Sequence, residues 1–188
     1  MKLTALASAI LVSVLSSPLH SAGEYQHVFP RIDAGQSPGI LPFLATYARE
    51  QGLKPLQPNH VRLFVQPMGI ISSAFDVDLE SGALTRYPGT HDKPGIRKSV
   101  LDAASLKVVR ETLTSEAFRN FPEQSSKAGL DGCSYLIEVD REKKYLWRLR
   151  WQPDEPVFQM LDKLFREKSG NEGLKRAQPG AAQPPAPK

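Results

Sequence analysis

The chain has 188 residues, with 24 basic and 20 acidic side chains, a net charge of +4 and a single cysteine, Cys133. One cysteine excludes an intrachain disulfide, so the fold must stand on its hydrophobic core. The charges interleave, as in Asp140-Arg141-Glu142-Lys143-Lys144, whereas a nucleic-acid binder presents an uncompensated basic stripe.

The chain opens with the pattern of a secretory signal peptide over residues 1–22. Lys2 forms a basic start, Leu3 to Leu15 are free of charge, and Ser21, Ala22 and Gly23 are small residues suited to a signal peptidase. The apolar run is shorter than the ~20 residues a spanning helix requires. Cleavage near Ala22-Gly23 is expected, releasing the protein into the periplasm or the medium. No cysteine adjoins the cut, so a lipoprotein is not expected.

Residues 23–59 read as an irregular arm carrying one short helix. Ile40, Phe43, Leu44 and Tyr47 recur at helical spacing, and Gly52 stands where a left-handed residue ends a helix. From His60 the period becomes two. Val61, Leu63 and Val65 alternate with Arg62, Phe64 and Gln66. Phe75, Val77 and Leu79 alternate with Asp76, Asp78 and Glu80. Ser81-Gly82 make a turn into a strand ending at Tyr87, Pro88 to Gly95 form a loop, and Ile96 to Leu101 form a further strand.

Asp102 or Ser105 can cap a helix with Leu106, Val109 and Leu113 on its apolar stripe. Phe118 and Phe121 follow in a short turn that Pro122 stops. Tyr135–Val139 and Lys144–Trp151 predict a hairpin with a charged tip. Pro156 then opens a helix with Val157, Met160, Leu161, Leu164 and Phe165 on one side. Together these elements predict an α+β fold over residues 60–168: a largely antiparallel sheet of about five or six strands, with two or three helices packed on one face. Residues 169–188, rich in Pro and Ala, predict a disordered tail.

Few residues carry candidate chemistry. Asp76, Asp78 and Glu80 begin like a calcium loop, but such a loop needs glycine at its sixth position and glutamate at its twelfth, where Ser81 and Tyr87 stand. Three acids at period two read as one solvated strand face. Cys133 is the candidate nucleophile, with His27, His60 or His91 as its base. It sits at a strand entry rather than a helix N-terminus, and a small buried thiol is the commoner state of a lone cysteine. Scattered histidines give no metal spacing, and no cofactor is expected. Arg148 and Arg150 alternate with Trp147, Leu149 and Trp151, so an exposed arginine pair could meet an anionic group on a partner. The commoner role of such a pair is a solvated face with cross-strand partners such as Glu138.

Gly129-Leu130-Asp131-Gly132, then Tyr135, Ile137 and Glu138, then Tyr145, Trp151 and Pro153, follow the Phe118 to Pro122 stretch. This run, within about residues 100–165, resembles a hairpin of small exported bacterial α+β proteins of unassigned function. The resemblance implies a fold and a location but no activity. Cys133 departs from it, since a small polar residue stands there in such sequences. The leading expectation is a non-enzymatic binding or accessory domain that contacts an envelope protein or small ligand through its sheet face or the 88–95 loop. The alternatives are a small hydrolase using Cys133 with a histidine, and an inhibitor of a secreted enzyme.

Overall fold

A computed structural model describes residues 26–32, 39–67, 70–71, 73–90, 95–124 and 132–170. The expected signal peptide, His91, the 91–94 part of the loop and residues 171–188 lie outside the described residues. The fold is α+β, with six antiparallel strands and four helices among the described residues. Strands β1 (His60–Pro67), β2 (Ser73–Asp78), β3 (Ala83–Pro88) and β4 (Arg97–Val100) form a meander. Strand β5 (Cys133–Arg141) returns beside β1 and pairs with β6 (Lys144–Trp151), giving the order β4-β3-β2-β1-β5-β6.

Period-two alternation sends the two halves of each strand to different layers. One layer takes Val61, Leu63 and Val65 of β1, Phe75 and Val77 of β2, and Tyr135, Ile137 and Val139 of β5. It is covered by helices α2 (Ala103–Thr114), α3 (Glu116–Asn120) and α4 (Pro156–Lys168). These are the helices the sequence places on one face. Asp102 caps α2, its carboxylate accepting from the Ser105 N–H at 2.8 Å, and Ser115 caps α3 through Phe118. Phe165 of α4 lies 5.8 Å from Phe75, and Phe158 meets Tyr135 edge-on at 6.3 Å.

The opposite face is covered as well. Helix α1 (Leu41–Glu50) and the arm residues Val28, Phe29 and Ile32 pack on Phe64, Ala74, Leu136, Trp147 and Leu149. Phe29 and Tyr47 both approach Phe64 edge-on, at 5.6 and 6.3 Å. The Tyr47 hydroxyl donates to the Pro88 carbonyl at 2.8 Å, tying α1 to the end of β3. Gly52 (φ 69°) ends the helix as the sequence implies, with its N–H on the Arg49 carbonyl and that of Leu53 on the Ala48 carbonyl. The expected stripe is rotated slightly. Leu41, Ala45 and Ala48 are buried with Leu44 and Tyr47, while Phe43 remains 38% exposed.

Candidate functional site

The residue pairing of the hairpin decides where the candidate arginines go. Arg141 pairs with Lys144 across a turn in which Glu142 and Lys143 both have positive φ, 53° and 62°. Continuing that register sets Arg150 opposite Tyr135 and Arg148 opposite Ile137, on the helix-covered face. Both guanidinium groups are buried, so neither the anion-binding face nor the solvated face exists at these positions. Arg148 donates to the carbonyls of Trp147 and Arg119, and Arg150 to those of Leu149 and Pro122. Arg150 also pairs with Glu155 and lies over the Phe121 and Phe158 rings. The pair thus holds the α3 end and the following turn onto β6. Trp147 faces the other way and is buried under the arm layer.

Cys133 is half-buried at the start of β5 against the helix-covered core. Its partner across the strand is Pro67, whereas His60 stands opposite Asp140 at the far end of β1. Seven strand positions are about 23 Å, well beyond proton transfer between His60 and the thiol. His27 is exposed, next to Val28 and Phe29 in the opposite layer.

A charged cluster that the sequence reading missed lies beneath the arm. Arg62 of β1 donates through Nε and Nη2 to Asp76 Oδ2, at 3.0 and 2.6 Å, and through Nη1 to the Lys54 carbonyl at 2.9 Å. His60 Nδ1 sits 2.6 Å from Asp76 Oδ1. On the neighbouring strands Tyr145 donates to Glu138 Oε1 at 2.7 Å. Arg31 of the arm reaches over the Tyr145 ring and donates to Asp140 Oδ2 at 2.6 Å. Asp76 is therefore enclosed, not part of a solvated acidic face, whereas Glu80 is exposed and Asp78, half-buried, holds Ser81 in the β2–β3 turn.

The electrostatics of the cluster follow from burial and pairing. Burial raises the Glu138 carboxyl to about 7, against the pull of Arg62 and the Tyr145 hydroxyl. Its Oε2 has no hydrogen-bond partner among the described residues. Burial also raises Tyr145. The hydrogen bond to Asp76 raises His60. Burial pushes Asp76 upward, but His60 and Arg62 more than reverse it and hold the carboxyl below its usual value. The signal for this cluster was indirect: the apolar stripe of α1 and the arm need a sheet face, and the face they take carries Arg62, Asp76 and Glu138. Among the described residues no group of His, Cys, Asp and Glu could hold a metal ion.

Among the described residues, the most open apolar surface is at β4. Ile96 and Val100 are 51% and 68% exposed, the most open of the large apolar residues described. Register sets Val100 opposite Ala83 and Lys98 opposite Thr85, so Ile96, Lys98 and Val100 face the α1 side of the sheet, beyond the helix. Beside them a shallow groove runs between Glu50 and Gln51 at the end of α1 and Pro88, Gly89, Thr90, Gly95 and Ile96. This groove adjoins the 88–95 loop singled out in the sequence.

Comparison with protein-family models, with curated proteins and with solved structures found no match. No helix among the described residues is long and apolar enough to cross a membrane.

Proposed function

We propose that the chain is an exported binding or accessory domain, acting without catalysis of its own, that contacts an envelope protein at the β4 edge and the adjoining groove. One observation carries this reading. Both sheet faces are covered by helices and arm, while the β4 end keeps Ile96 and Val100 in solvent. Exposed apolar residues grouped beside a groove mark interaction sites more often than exposed residues scattered singly. The basic start and uncharged run of residues 1–22 support export.

The test is in-cell photo-crosslinking from position 100, with position 43 on the exposed side of α1 as the control. The expected result is a discrete adduct from position 100 that is absent or much weaker from position 43. A chain that yields no specific adduct from either position in the compartment where it accumulates would sink the binding-domain reading.

A further inference from the structure

The geometry points to a specific partner chemistry at β4, and we infer that this edge accepts an extended, acidic segment of another protein as a seventh strand. The inference rests on the binding-domain reading and adds what the partner must look like. Strand β4 ends the sheet order, with β3 on one side and, among the described residues, no strand on the other. The Leu101 N–H donates to the Gly82 carbonyl at 2.9 Å. In an antiparallel pair the bonded positions alternate, so Leu101, Ser99 and Arg97 direct their backbone groups at β3. Lys98 and Val100 therefore turn their N–H and C=O groups outward. An added strand has its main-chain ladder ready there.

Side chains set the specificity. Directly opposed residues of paired strands share a face. An antiparallel guest therefore meets Val100, Lys98 and Ile96 on the α1 side, and Ser99 and Arg97 on the helix side. Arg97 and Lys98 have no carboxylate partner among the described residues, and Arg97 spends one N–H on the Gly170 carbonyl. Complementarity thus selects, in guest order, apolar, small polar, acidic, acidic, apolar. The same cations argue against a second copy of this chain as the occupant. Two antiparallel β4 strands paired about their basic residues set Lys98 against its own copy, or Arg97 against Lys98 of the other strand, and basic residues on an edge strand discourage such pairing. Glu50, at the far side of the groove, keeps the acidic positions of the guest at Lys98 and Arg97 rather than in the groove.

The probe is the blocked peptide Thr-Val-Thr-Glu-Glu-Val-Thr, with a counterpart carrying two lysines for the glutamates, titrated into the exported chain by NMR and fluorescence anisotropy. The expected result is binding of the acidic peptide with shifts centred on residues 96–100, and at least tenfold weaker binding of the lysine peptide. Val100→Pro removes one outward N–H without touching a bond to β3 and is expected to cost at least tenfold in affinity. Lys98→Glu, at an exposed position, is expected to lose the acidic peptide and gain the lysine peptide. The inference falls if both peptides bind wild type equally, or if neither variant changes the affinity. It falls too if binding appears only after residues 171–188 are removed, which would assign the edge to the chain's own tail. A position-100 adduct that survives Lys98→Glu unchanged overturns the acidic-strand inference alone and leaves the binding-domain reading standing.

Discussion

At the residue scale, Glu138 shows how burial turns a surface-type residue into a pH-dependent one. Its carboxyl titrates near 7 in the folded protein and at the usual 4.5 when unfolded. The folded state therefore holds the proton more tightly, and stability declines as pH rises through that window. The size of the shift corresponds to a loss of about 2–3 kcal/mol between pH 5 and pH 8. His60 acts in the same direction, because a raised histidine contributes stability below its unfolded value near 6.5 and loses it as pH rises through the folded value. Asp76 acts oppositely: its lowered carboxyl contributes above its usual 3.8 and loses that contribution in acid. The protein is thus expected to be most stable near pH 5. Glu138→Gln removes the titrating group while keeping its shape. Urea midpoints of wild type are expected to fall between pH 5 and pH 8, and those of Glu138→Gln to fall by less than half as much. An equal fall in both would contradict the assignment.

At the element scale, the β5–β6 hairpin separates what the sequence allowed from what it withheld. Its existence, its charged tip and the helix after it were all readable from residues 135–165. The faces were harder. Tyr135, Ile137 and Val139 form one neat alternation and Trp147, Leu149 and Trp151 another, and neither alternation by itself says which face of the sheet it takes. A tip with an even number of residues, two in the structure, pairs odd positions with even ones, so the two aromatic sets fall on opposite faces. That parity also buries Arg148 and Arg150. The charged cluster was less legible, because Arg62, Asp76 and Glu138 carry the polar half of a strand alternation, and only the arm's demand for a face reveals that this half is covered. The turn itself yields a prediction. Glu142 and Lys143 both occupy the left-handed region, which is unfavourable for residues other than Gly, Asn and Asp. The double change Glu142→Asn with Lys143→Gly supplies the pair that two-residue turns of this hand prefer. It is expected to stabilise the fold by about 1 kcal/mol, seen as a higher melting temperature. A lower one would mean that the side chains at the tip contribute more than the backbone strain removes.

At the scale of the whole molecule, one sheet serves two cores, and this governs how the protein unfolds. The arm and α1 are far from the other helices in sequence and lie on the opposite face, an arrangement that could let them detach as a separate unit. The packing argues against it. Phe29 and Phe64 are almost completely buried in the arm layer, and Arg31 secures the arm to Asp140 of β5. Phe64 lies on β1, whose Leu63 and Val65 belong to the other core, so loosening the arm exposes the strand at the centre of both layers. Phe29→Ala removes a fully buried ring, a change that costs about 3–5 kcal/mol in a core that cannot collapse around the void. Two probes then distinguish a peeling arm from a single cooperative fold. Both tryptophans lie on the arm face of β6, so their fluorescence follows that layer, while far-ultraviolet circular dichroism follows chiefly the sheet and the helices α2 and α4. In a single unit the two signals melt together in wild type, and in Phe29→Ala they shift downward together. An early fluorescence transition with the dichroism midpoint left in place would instead make the arm and α1 a separable lid over the sheet.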